Sequence, residues 1–139
     1  MTGSLYLADT SVYALRSKHP QVRRRFELLL VEGRLATCQM TALEYLNNAP
    51  DPKSYEVLWG ALHGQRWMDV GQQAMDRALA VHRALAATSQ HRHFRLPDLI
   101  IAATAEQHGA TVLHYDADFD RIGTVTGQPM EWVAPQGSL

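Results

Sequence analysis

Cysteine occurs once in these 139 residues, at Cys38, which excludes an internal disulfide and fits a reducing cytoplasm. Lysine is nearly as scarce: Lys18 and Lys53 stand alone, both in the first half of the chain. There is no lysine-bearing glycine loop of the kind that cradles nucleotide phosphates, and the histidines are not spaced as metal ligands. Apolar runs such as Leu28-Leu29-Leu30-Val31 are far too short to cross a bilayer. Met1 to Thr10 lacks the basic start and long apolar stretch of a signal peptide. These absences predict a soluble, cytoplasmic protein with no membrane partner. The net charge of −1 shows no global excess of positive charge, so a polyanion must be met by a local patch or a metal. With 46% hydrophobic and 19% charged residues, the composition suits a folded domain and not a disordered one. The length predicts one domain over 1–139 with a real core, and 134–139 reads as a flexible Pro/Gly/Ser tail.

Short apolar strands alternate with amphipathic helices. Leu5-Tyr6-Leu7-Ala8 predicts a buried first strand, and Asp9-Thr10-Ser11 supplies N-cap types for a helix through Ala14-Leu15. His19-Pro20 breaks that helix, and a second one carries Val22, Phe26, Leu29 and Leu30 on one face until Gly33. Residues 34–38 predict a second strand. Thr41-Ala42-Leu43-Glu44 has the form of a capping box and predicts a third helix starting there. Asp51-Pro52 opens a fourth, and Trp67 to Val70 predicts a third strand. A long helix over 72–87 is expected to bury Met75, Leu79, His82 and Leu85 or Ala86. Pro97 suits the first turn of the next helix, which Gly109 closes. Thr111 to Tyr115 predicts a fourth strand ending at Asp116, and Met130 to Val133 a last one. Such alternation indicates an α/β fold, with a parallel sheet covered on both faces.

Five carboxylates, Asp9, Glu44, Asp98, Asp116 and Asp118, each fall where a strand stops or a helix starts. In an open parallel sheet those points share one edge, where ligands bind. Each acid also has a structural explanation: Asp9 as an N-cap, Glu44 in a capping box, Asp98 beside a helix dipole, Asp116 and Asp118 as turn formers. Crowded carboxylates repel one another unless a cation sits between them. As a set they point to a hard, oxygen-preferring ion such as Mg²⁺, with Mn²⁺ as a substitute. A phosphoacceptor receiver domain also gathers aspartates at strand ends, but it needs paired acids after the first strand and a lysine near the end, and both are missing.

Four segments carry a resemblance. They are Leu7-Ala8-Asp9-Thr10-Ser11-Val12, Thr41-Ala42-Leu43-Glu44, Leu96-Pro97-Asp98-Leu99-Ile100-Ile101-Ala102 and His114-Tyr115-Asp116-Ala117-Asp118-Phe119-Asp120. In this order they resemble the acidic motifs of PIN-domain ribonucleases, in particular the VapC-type toxins of bacterial toxin–antitoxin pairs. The resemblance implies a PIN-like three-layer α/β/α domain whose parallel sheet has about four to five strands. It also implies metal-dependent hydrolysis of RNA, leaving a 5′-phosphate and a 3′-hydroxyl. On this reading Asp9, Asp98 and Asp116 hold the metal, Asp118 supports them, and Glu44 orients or deprotonates the attacking water. Thr10, Ser11 and Arg95 are expected to touch substrate or a ligand water. Arg23-Arg24-Arg25 and the stretch from His91 to Arg95 are candidates for phosphate contact. The implied partners are an RNA substrate, an adjacently encoded antitoxin and a second copy of the chain, with Tyr45, Leu46, Tyr55, Leu58 and Trp59 divided between core and dimer face. The alternative is a decayed nuclease fold that binds RNA or a partner without cleaving.

Overall fold

The computed structural model describes residues 4–139. The first three residues, part of the segment read for a leader, lie outside that range. In chain order the elements are β1 (Tyr6–Ala8), α1 (Thr10–Arg16), α2 (Pro20–Val31), β2 (Leu35–Thr37), α3 (Gln39–Leu46), α4 (Pro52–His63), β3 (Arg66–Trp67), α5 (Gln72–Ala86), α6 (Leu96–Gln107), β4 (Thr111–His114), α7 (Ala117–Thr126) and β5 (Met130–Trp132). The strands pair in parallel in the order β3-β2-β1-β4-β5.

Alternation along the buried strands divides the interior into two layers. Leu7, Ala36 and Val112 face one side, where they meet α5, α6 and the Phe119 and Ile122 side chains of α7. Tyr6, Ala8, Leu35 and Leu113 face the other, against Val12, Tyr13, Val22, Phe26, Leu29, Ala42 and Leu62 from the helices α1 to α4. A strand covered on both faces has no polar side, which is why these segments read as unbroken apolar runs. The result is the expected α/β/α sandwich. No helix among the described residues is long and apolar enough to cross a membrane.

Four expectations change. The helix carrying Glu44 starts at Gln39, not at Thr41: Cys38 is its N-cap and makes no side-chain capping bond. Thr41 is buried in the first turn, its hydroxyl 3.6 Å from the Cys38 sulfur, so no capping box forms and Glu44 is free for another role. On α5 the buried stripe is Ala74, Ala78, Val81 and Leu85, while Met75 and Leu79 are exposed. Small residues let α5 lie close to α6, which turns the larger side chains outward. The third strand stops at Trp67: Met68 N–H still bonds the Thr37 carbonyl at 2.8 Å, and then Val70 N–H turns to the Gln39 side chain at 3.0 Å. The aspartates after β4, read as turn formers, instead open a helix: residues 117–126 form α7, capped by the Asp116 carboxylate and closed by Gly127 at φ 76. Beyond β5, Ala134 is buried and the Leu139 N–H lies 3.2 Å from the Tyr115 hydroxyl.

Leu113, fully buried in β4, also supplies the carbonyl that binds Asp9 N–H at 2.9 Å. Truncation there removes packing at the centre of the sheet. Leu113→Ala is expected to cost about 2–5 kcal/mol, seen as a lower urea midpoint at unchanged slope.

Candidate metal centre

Consecutive strands β1, β2 and β3 step to one side of the sheet, whereas β4 lies on the other side of β1. The chain therefore reverses direction across the sheet between β1 and β4, and a crevice opens beyond their carboxyl ends. Asp9 follows β1 directly, with its backbone held across the crevice by Leu113. It caps α1 through its carboxylate, which accepts from the Ser11 hydroxyl at 2.6 Å and from Ser11 N–H at 3.3 Å. Asp98 enters from the first turn of α6, placed there by Pro97 in that same turn. Glu44 reaches in from α3, where it accepts a hydrogen bond from the Thr10 hydroxyl at 2.8 Å and pairs with Arg95. One carboxylate oxygen from each of Asp9, Glu44 and Asp98 lies within 4.8 Å of the others.

These acids are poorly solvated. Asp9 and Asp98 are 4% and 2% exposed. Burial raises the Asp9 carboxyl above its ordinary range, against the lowering effect of the Ser11 bonds and with the Glu44 charge adding to the rise. Asp98 is pushed up to about 7, first by burial and then by the Asp9 charge, with Arg95 opposing. Its Oδ1 is buried without a hydrogen-bond partner, and the Nη1 of Arg95 lies 3.9 Å away. A buried acceptor with no donor is costly, and here it points to a group that binds between the acids.

The cavity over the acids has a volume of about 400 Å³ and is lined by Asp9, Thr10, Ser11, Glu44, Arg95, Asp98 and Asp116, together with Ala14, Asn47 and Asn48. Of the residues expected from the sequence, Asp9, Glu44 and Asp98 converge. Asp116 borders the cavity but stands outside that close cluster, its carboxylate accepting from Asp118 N–H at 2.9 Å as the cap of α7. Asp118 is turned away, with Oδ1 at 3.2 Å from the His93 ring, and does not line the cavity. Thr10 and Ser11 hold the carboxylates themselves. Arg25 of the arginine run is engaged with Glu131 at 2.8 Å, while Arg23 and Arg24 are exposed. Asn47 and Asn48 were not foreseen. They lie three and four residues beyond Glu44, the spacing that returns to one side of a helix, and that was the available signal.

Residues 6–125 match the PIN domain family. The chain belongs to the PIN-domain family. Among its relatives is a protein named Ribonuclease VapC51 from Mycobacterium tuberculosis, 45% identical over 134 residues, a span that covers 96% of each chain. The DNA-bound VapBC structure from Salmonella typhimurium superposes with a TM-score of 0.77 at 21% identity, over 95% of this PIN domain and 100% of that chain. A toxin–antitoxin complex from Klebsiella pneumoniae gives 0.66 at 21% identity, over 81% and 87%. At such identities the structural likeness speaks for the fold.

A raised carboxyl binds its proton more tightly in the folded state than in the unfolded one. The stability it contributes is complete below its ordinary value of 3.8 and is lost as the pH rises through about 7. Asp9, shifted in the same direction, adds to the trend. The melting temperature of the metal-free protein should therefore fall between about pH 4 and about pH 7, and Asp98→Asn should flatten the decline. Thermal scans across that interval check this, and an equal slope in the variant would place the titrating group elsewhere.

Proposed function

We propose that this chain is a divalent-metal-dependent ribonuclease that hydrolyses RNA phosphodiester bonds, and that it serves as the toxin of a toxin–antitoxin pair. The observation that carries the reading is the meeting of Asp9, Glu44 and Asp98 around an unpartnered buried oxygen. Support comes also from relatives named as ribonucleases and from structural neighbours described as toxin–antitoxin complexes.

The donor set fits Mg²⁺. All the converging ligand atoms are carboxylate oxygens, and burial outweighs the one nearby positive charge, that of Arg95, so that two of the acids are reluctant to ionise. Asp9 and Asp98 would hold the ion directly, with Asp116 at the rim acting through water. An ion bound there acidifies water and neutralises charge on the phosphate, and Mn²⁺ can supply the same chemistry. Ser11 fixes the rotamer of Asp9, and Thr10 fixes that of Glu44. Glu44, aligned in this way, would accept the proton of the attacking water as general base. In the absence of substrate, Arg95 neutralises Glu44, and its exposed guanidinium would transfer to a substrate phosphate. A second copy of the chain and an antitoxin complete the assembly we propose. The antitoxin would present an Arg or Lys to the same carboxylates.

Asp9→Asn and Asp98→Asn are each expected to reduce Mg²⁺-dependent cleavage of RNA to background while the protein stays folded. Glu44→Gln should lower kcat by about 10²–10⁴-fold with little change in melting temperature. Initial rates with and without Mg²⁺ or Mn²⁺ decide the matter. RNA bound but not cut by the unaltered protein would instead favour the non-catalytic module.

Arg95→Gln separates two roles of one residue. Loss of a competing cation should tighten Mn²⁺ binding measured by calorimetry, while loss of a phosphate contact should raise KM for RNA. Arrest of growth by the chain alone, relieved by co-expressing its small neighbouring reading frame, is the expected cellular result.

A further inference from the structure

A second groove, of about 490 Å³, is lined by Tyr13, Arg16, Ser17, Lys18 and Tyr45 and shares Thr10, Ala14 and Asn48 with the acidic cavity. Both therefore border α1, with Asp9 capping its start and Arg16 and Lys18 at and just beyond its end. Arg16 lies seven residues beyond Asp9, about two turns and roughly 10 Å along the helix, and so returns to the same side.

The setting of Arg16 is the informative part. Its guanidinium carbon sits 4.4 Å from the ring centre of Phe26 and 5.4 Å from that of Tyr13. Its Nη2 donates to the Tyr45 hydroxyl at 3.0 Å. None of these three partners is an anion, and Arg16 forms no ion pair among the described residues; what sets it apart is that aromatic side chains and a hydroxyl fix it in place. Aromatic faces and a phenol thus hold a permanent cation in one place beside a groove and leave its charge unmatched. A fixed planar fork of donors suits a phosphate, and pre-ordering lowers the entropy lost on contact. Lys18, exposed at the same end, adds a second positive charge.

We infer that Arg16, with Lys18, binds a backbone phosphate of the RNA strand next to the one cleaved, so that the strand runs from the acidic centre along α1. The inference rests on the ribonuclease reading. It makes Arg16 a substrate-binding residue and not a catalytic one. Tyr45 acts as its positioning residue.

The test measures binding apart from cleavage. In an Asp9→Asn background, a labelled single-stranded RNA of mixed sequence and about twelve nucleotides is titrated at several salt concentrations. Arg16→Gln should weaken binding about tenfold. It should also lower the slope of log affinity against log salt by about 0.7, the value for one phosphate contact on a single strand. Arg16→Lys, which keeps the charge, should keep the slope, and Lys18→Gln should lower it again. With Asp9 restored, Arg16→Gln should raise KM and leave kcat unchanged. If the Gln variant does not fold, Lys18→Gln carries the same slope measurement at an exposed position. Unchanged slope and KM in a protein that cleaves RNA would overturn the phosphate site and leave the ribonuclease reading intact. Loss of antitoxin binding in Arg16→Gln without any change toward RNA would assign the groove to the protein partner and overturn it equally. Absence of metal-dependent cleavage by the unaltered chain would defeat the ribonuclease reading itself, and this inference with it.

Discussion

Like charges forced together in a poorly hydrated crevice are the constraint around which this molecule is arranged. Asp9, Glu44 and Asp98 come from three elements far apart in sequence, and only the parallel sheet brings them to one edge. Their repulsion and desolvation are unfavourable for folding, and the apolar layers on both sides of the sheet offset that cost. The unmatched oxygen of Asp98 shows where the compensation is incomplete. Acids held together in this way are electrostatically suited to a cation, and their fixed geometry would need little rearrangement to accept one.

Positioning in the centre is hierarchical. The sheet sets the backbone of Asp9 through Leu113, hydroxyls from α1 set the carboxylates of Asp9 and Glu44, and Arg95 lies over the assembly from the exposed side. Thr10 and Ser11 therefore do their work one step away from the chemistry. Their short side chains have few rotamers to lose, so they hold the acids at small entropic cost. Burial then protects that geometry from competition by bulk water.

Much of this arrangement was legible in the sequence, for a physical reason. Strands buried on both faces appear as compact apolar runs, and acids next to strand ends in an α/β pattern can converge only at one edge. The alternation of strands and helices and the identity of Asp9, Glu44 and Asp98 followed from those two facts. What misled were local motifs with two physical readings. Thr41-Ala42-Leu43-Glu44 has the composition of a capping box, yet tertiary packing starts the helix at Gln39 and sends Glu44 into the crevice. Met75 and Leu79 have the spacing of a buried stripe, yet the alanines beside them are what α6 admits at close range. The aspartates from Asp116 to Asp120 suggested a turn, although an N-cap followed by acids in the first turn also starts a helix, and α7 is that helix. The division of Asp116 and Asp118 between the cavity and His93 depends on side-chain direction, which spacing alone does not carry.

The sheet ends on one side in β3, two residues long, where the Arg66 guanidinium Nε donates to the Gly33 carbonyl at 2.6 Å. On the other side it ends in β5, three residues long. Such brief margins present almost no ladder of free backbone donors and acceptors to an incoming chain. Extension of the sheet by strand addition is disfavoured at both ends, which guards against edge-to-edge aggregation when the protein accumulates. Whatever binds this domain must grip helices and side chains, so its recognition is written in residues that mutation can alter one at a time.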